Sequence, residues 1–398
     1  MQNSEESEVK IPKSLDFLGP FCYTTLVGYD TIKNGTRLLM LLEKYLEGRG
    51  VPPIPRFQKE EWEALRREYC EILQREEYGR AIPEPTELWF EEEPLFAKEF
   101  ASGYGVRYAV TAHAVVCGKP FDFPFHVCLP TTAEAPYPFF VHNDFDPDEP
   151  TRFCPIEEIV QRGFAVLRLH YNDVTTDDND FLNGLAGCIY PDGAEHRGPE
   201  DPGKIMMWAW ANMRVMDYAM SLSCLDHEHG AVIGHSRLGK TALVTGMLDE
   251  RFRYVVSNNA GCSGDAITRK KVGEKIRHIL VADRWFCENY KKYSDREEEL
   301  PFDQHMLLAT IAPRVLMVGA ACEDTWADPA SEYLCCAAAS TAWEQLGEKG
   351  FVAPDRLPQL GENFDEGNIC YHYRWGVHFL GRIDWNIYMD TIQKHRKK

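Results

Sequence analysis

The chain has 398 residues, 44% of them hydrophobic and 26% charged, a globular balance that excludes disorder or fibrous structure for most of its length. Its 43 basic and 62 acidic residues give a net charge of −19, which argues against a nucleic-acid partner and against anionic membranes, since both need a basic surface. No stretch approaches ~18 uninterrupted apolar residues, so no membrane-spanning helix is predicted.

Residues 1–13 are polar and acidic and are predicted to be disordered. They contain no apolar core of the kind a secretory leader needs, so no leader is expected here, a trimmed one being the alternative. The thirteen cysteines are odd in number, with Cys335 and Cys336 adjacent and no C-x-x-C. That pattern reads as reduced thiols of a cytoplasmic protein, with no disulfide frame or zinc site. Residues 14–100 are predicted to form a helical extension. Leu38, Leu39, Leu41, Leu42 and Leu46 make an apolar stripe over 36–47, and Trp62, Leu65, Tyr69 and Leu73 make another over 59–76. Pro52, Pro53 and Pro55 separate the two.

The pattern changes near residue 104, where a catalytic domain over 101–398 is expected to begin. Strands are predicted over 106–116, 121–130, 137–143, 163–171, 228–236, 254–261 and 314–322, with helices over 156–162, 205–223, 237–249 and 332–346. This alternation predicts an α/β fold, a mostly parallel sheet with helices on both faces. Chemistry in such sheets gathers beyond the carboxyl ends of the strands.

One such end is the run from Gly234 through His235, Ser236, Arg237, Leu238 and Gly239 to Lys240. A serine on a sharp strand-to-helix turn has its hydroxyl lifted above the sheet edge, with backbone N–H groups aimed at the same place. The common elbow is G-x-S-x-G; here the second glycine comes one place late and Leu238 holds its usual position. Two other readings fit the same residues. Ser236 could be an ordinary helix N-cap. Residues 234–241, GHSRLGKT, also satisfy the phosphate-loop pattern G-x-x-x-x-G-K-[ST], which would make the chain a nucleotide binder, although no strand-borne aspartate of the Walker-B type accompanies it.

The run GHSRLGKTAL resembles the elbow of the glucuronoyl esterases of carbohydrate esterase family 15 and their bacterial relatives, which reads G-C-S-R-x-G-K. His235 stands where that family commonly has cysteine. RGFAVLRLHYNDV (162–174), WAWANMRVMDY (208–218), LPFDQHMLLATIAPR (300–314), EDTWADP (323–329) and the tail around His378 are similar as well, so the resemblance spans roughly 100–390 in order. It implies an α/β-hydrolase fold and a serine carboxylic-ester hydrolase working through an acyl-enzyme, with neither cofactor nor metal.

A serine hydroxyl needs a neutral imidazole to take its proton. His378 is the last histidine before the C-terminal helix and matches the family's terminal histidine loop. His372 is expected within the preceding strand, and His305 in a structural role. His227 and His229 flank Glu228 and are read as a surface turn, not a metal pair. Fungal members carry the third triad residue as a Glu after the strand that follows the elbow helix, where this chain has Asn259. Some bacterial relatives carry the acid one strand later, and here that loop offers Asp324, the preferred candidate, with Glu323 and Asn259 as alternatives.

The backbone N–H and guanidinium of Arg237 are candidate oxyanion donors, a role the family implies for the side chain. His142 and Asn143, ending an early strand, are further candidates. The resemblance implies sugar contacts for Lys240, Trp326 and, by a weaker match, Glu274. The predicted substrate is an oligosaccharide carrying a 4-O-methylglucuronoyl or glucuronoyl ester, with acetyl release from xylan-type oligosaccharides as the alternative. From another class, Asn259 at the family's acid position leaves open a non-catalytic carbohydrate-binding relative.

Overall fold

The structure, a computed structural model, describes residues 40–95 and 100–397. The chain enters its sheet through strands that alternate buried and half-exposed side chains, the signature of one wet face. β1 (Glu87–Leu95), β2 (Gly105–Val116) and β3 (Lys119–Pro130) form an antiparallel meander. β2 and β3 are joined at Cys117 and Gly118, both at positive φ, the two-residue turn whose twist suits a hairpin.

The strands that follow read as continuous apolar runs because both of their faces are covered. They are β4 (Tyr137–Asp144), β5 (Ala165–His170), β6 (Leu225–His235), β7 (Tyr254–Asn258), β8 (Val315–Ala321) and, after the short β9 (Asn363–Phe364), β10 (Ile369–Arg374). The spatial order is β1-β2-β3-β5-β4-β6-β7-β8-β10-β9, parallel from β5 through β10. Neighbours on β6 face opposite ways: Val232 joins the larger core, Ala231 and Ile233 the smaller. The larger core is covered by helices Lys204–Ala219, Arg237–Leu248, Gln304–Ala309 and Pro329–Gln345. The smaller is covered by Ile156–Gln161 and Arg382–His395. This is the α/β-hydrolase architecture the resemblance implied.

The predicted extension is not purely helical. Leu41–Arg49 and Trp62–Leu73 are helices, but β1 pairs with β2 in the main sheet. β1 escapes a period-two reading because Glu91, Glu92, Glu93 and Pro94 break its apolar alternation at the sheet's edge. The tail predicted to be disordered, 1–13, lies outside the described residues, as does the start of the stripe at 36–39.

Candidate active site

β6 ends at His235 and helix Arg237–Leu248 begins two residues later, leaving Ser236 alone on the bend at φ 56° and ψ −126°. A serine in that conformation is strained, so the surroundings must hold it there. Its N–H donates to the Asn258 carbonyl at 2.9 Å, and its own carbonyl accepts from the N–H groups of Gly239 (2.9 Å) and Lys240 (3.1 Å). Gly234 is demanded by close approach, since a Cβ there would lie 2.0 Å from the Leu238 carbonyl oxygen. The late glycine has its own reason: a Cβ on Gly239 would meet the Ala260 methyl at 3.1 Å, while Leu238 is fully buried in the core. The first N–H groups of the helix have no carbonyl one turn back to bond, and so remain available beside the serine.

His378 lies between β10 and helix Arg382–His395. Its Nδ1 is 2.6 Å from Asp324 Oδ2, and its ring centroid is 4.4 Å from that of His235, the residue before Ser236. Asp324 follows β8 and is buried. Its Oδ1 accepts the Ala327 N–H at 3.2 Å, and its Oδ2 also accepts the Asn259 amide at 2.9 Å. Burial alone would raise this carboxyl, but the hydrogen bond and charge of His378, with the Ala327 and Asn259 donors, outweigh it and hold the group below the usual carboxylate range. An ionised Asp324 fixes the proton on Nδ1 and leaves Nε2 as the free ring nitrogen. Of the three candidate acids only Asp324 touches the imidazole. Glu323 is exposed, and its backbone N–H donates to the Gly376 carbonyl at 2.9 Å. Asn259 reaches the imidazole one step removed, through Asp324.

The Arg237 guanidinium lies between the Trp285 and Phe145 rings, 4.7 and 5.4 Å from their centroids, with Nη1 bonded to Asp177 Oδ2. Asp177 Oδ1 accepts from Arg284 Nε at 2.8 Å and Trp285 Nε1 at 2.7 Å. Burial opposes its ionisation, but the indole bond and the two guanidinium charges keep it below the usual carboxylate range. The loop carrying Asp177 is pinned by the buried Lys204, whose ammonium donates to the carbonyls of Thr176 and, at 2.7 Å, Asp180. Neither Asp177 nor Trp285 was picked out from sequence. The available signal was the acid-rich run after β5, at the carboxyl end of a parallel strand.

Trp326 and Glu274 come together: the exposed indole donates through Nε1 to Glu274 Oε1 at 3.2 Å, and the Glu274 N–H donates to the Trp326 carbonyl at 2.9 Å. Gly273 permits the approach, since a Cβ there would lie 2.4 Å from the Trp326 carbonyl oxygen. Lys240 is placed differently from a solvent-facing sugar ligand. It is buried, with Nζ 2.5 Å from the Ala260 carbonyl. That placement also removes the phosphate-loop reading, in which the lysine must reach outward. Beneath the same loop the Gly261 N–H donates to both Asp265 (2.7 Å) and Glu332 (3.2 Å). Burial and the Asp265 charge push Glu332 well above the usual carboxylate range.

The other histidines stand apart. His372, within β10 as expected, bonds Asp384 at 2.8 Å in a second, buried pair. His305 is fully buried, and burial lowers it to about 4. His142 is buried against Trp385, and neither its Nδ1 nor the Asn143 amide has a hydrogen-bond partner among the described residues. His227 and His229 lie on β6, not on a turn; their partners are the Leu222 carbonyl and Asp226. Among the described residues no cluster of three or more His, Cys, Asp or Glu could hold a metal ion.

The family model described as glucuronyl esterase, fungi, matches residues 113–347. The carbohydrate esterase MZ0003 of an unknown prokaryotic organism is 36% identical over 241 residues, covering 60% of this chain and 55% of the relative. The 4-O-methyl-glucuronoyl methylesterase of Podospora anserina is 26% identical over 301 residues, covering 73% of this chain and 57% of the relative. The chain thus spans a little over half the length of these two. A solved glucuronoyl esterase from Solibacter usitatus superimposes with a TM-score of 0.76 at 30% identity, covering 85% of this chain and 94% of the other.

Proposed function

The chain belongs to the glucuronyl esterase family, and from this membership and the geometry around Ser236 we propose that it is a serine hydrolase cleaving a glucuronoyl or 4-O-methylglucuronoyl ester on an oligosaccharide. The observation that carries the reading is the 2.6 Å bond from His378 to a buried, ionised Asp324, beside a serine held on a strained bend.

In this reading His378 Nε2 takes the Ser236 hydroxyl proton as Oγ bonds to the ester carbonyl carbon. The charge that develops on the carbonyl oxygen is met by the Arg237 N–H and guanidinium, each donor being worth roughly 3–4 kcal/mol in such sites. Collapse breaks the bond to the alcohol, which leaves with the proton from His378. Water, deprotonated by the same nitrogen, then attacks the acyl-enzyme, and Ser236 recovers its proton as the glucuronic acid departs. Asp324 stays ionised throughout and orients the ring. The exposed Trp326 face supports stacking on a pyranose, with Glu274 beside it to accept from sugar hydroxyls. Lys240 braces the Ala260 loop, and its contact with sugar would require release of that carbonyl. A cytoplasmic setting is supported by the buried free thiols of Cys128, Cys154, Cys262, Cys335 and Cys336.

Rates on benzyl glucuronate and p-nitrophenyl acetate, with Ser236→Ala as control, test the reading. The glucuronate ester is expected to be turned over with much the higher kcat/KM, and both activities should vanish in the variant. Comparable low rates on both esters contradict the substrate class, and unchanged turnover in the variant contradicts the nucleophile.

A further inference from the structure

His235 has no part in the steps above, yet its ring packs directly on that of the proposed base. A single hydrogen bond to Asp324 fixes one atom of the His378 ring and leaves rotation about the side chain's own bonds to be limited by what packs on its face. The His378 side chain is 44% exposed, so solvent offers no wall against that rotation. The wall comes from below. The His235 ring lies 4.4 Å from the His378 ring at 47°, and Phe153 stacks on His235 at 5.6 Å and 25°. Phe153 in turn packs 5.0 Å from Phe379, the residue after His378.

This stack is itself fixed. His235 Nδ1 donates to Asn258 Oδ1 at 2.8 Å, and the Asn258 amide nitrogen donates to the Tyr388 hydroxyl at 3.1 Å. Trp385 Nε1 donates to the Phe153 carbonyl at 2.7 Å. His235 is 4% exposed. Burial first, and the facing His378 second, lower it to about 3, against the smaller opposing effects of Asn258, Asp384 and Asp324. It therefore stays neutral when His378 becomes an imidazolium, and adds no like charge beneath it.

We propose that His235 is a positioning residue, a neutral aromatic shelf that sets the plane of the His378 ring and aims its free nitrogen at Ser236. The inference rests on His378 being the base.

The test compares kcat and KM on benzyl glucuronate for His235→Ala, His235→Phe and His378→Ala, each assayed well below its own melting temperature. His235→Ala is expected to lose about 10- to 100-fold in kcat with KM within about twofold, the cost of a slightly misplaced base. His235→Phe, which restores a ring without the Asn258 bond, is expected to recover most of that loss. Two results overturn the shelf while leaving the base intact: an inactive His378→Ala beside a fully active His235→Ala, or a His235→Phe as impaired as His235→Ala. An active His378→Ala removes the base assignment itself, and the shelf with it.

Discussion

Asn259 donates its amide to the carboxylate of Asp324 at 2.9 Å, on the same oxygen that receives His378 Nδ1. Asn259, the position to which the resemblance assigned the acid of the fungal members, is here a hydrogen-bond donor to the carboxylate of the next loop. Asn259 is held at φ 49°, and its N–H donates to the Gly319 carbonyl at 2.8 Å, so the amide is aimed by a backbone constraint. Asp324→Asn is expected to lower kcat by roughly 10³–10⁴-fold through loss of ring orientation and charge. Asn259→Ala should cost far less, about tenfold, because His378 keeps its partner. Steady-state kinetics on benzyl glucuronate check both, and equal losses would point to a shared role for the two residues.

The depressed Asp324 carboxyl makes a stability prediction with a definite sign. Its folded value lies below the ordinary 3.8, so the stabilisation from its bonds is full above that value and is lost as pH falls through the folded one. Asp324→Asn should therefore flatten the acid limb of the melting curve below about pH 4 and lower the melting temperature at neutral pH. Thermal melts from pH 2.5 to 7 check this.

Glu77 behaves in the opposite sense. It is fully buried, its oxygens accept from Gln304 Nε2 at 3.0 and 3.1 Å, and burial pushes it up to about 8. The folded state favours its neutral form, so its stabilising contribution is full below 4.5 and falls as pH rises through about 8. Glu77→Gln should melt higher than the wild type at pH 8–9 and about equally at pH 5. Gln304 Oε1, which has no partner among the described residues, can accept the new amide after a flip of its own.

Arg237 depends on Asp177 for its direction. Asp177→Asn keeps one of the two acceptor oxygens and removes the charge, and is expected to lower kcat about tenfold with a smaller change in KM. Arg237→Lys, which loses the fork geometry, should cost roughly 10²–10³-fold. A Lys variant with unchanged kcat would leave the oxyanion to backbone donors alone.

The parallel strands and the bend at Ser236 were legible in the chain because both faces of those strands are apolar and a strand-to-helix turn leaves a local glycine signature. His378 was legible as the terminal histidine of a resembling family. What lay out of reach depends on distant contacts: Asp177 meets Arg237 across 60 residues, and the shelf beneath His378 brings Phe153, His235 and Phe379 together from three segments. β1 was missed because an edge strand tolerates the acidic residues that mask its period. Lys240 was expected at the sugar because the resemblance implies that contact. Its ammonium is instead buried against the Ala260 carbonyl, a contact made across 20 residues.

The most direct test is covalent trapping. Incubation with a fluorophosphonate, followed by peptide mass spectrometry and a parallel assay on benzyl glucuronate, should give one adduct per chain on Ser236, with activity lost in proportion and little labelling in His378→Ala. An adduct on a different residue, or full ester turnover by protein stoichiometrically modified at Ser236, would contradict a serine nucleophile driven by His378.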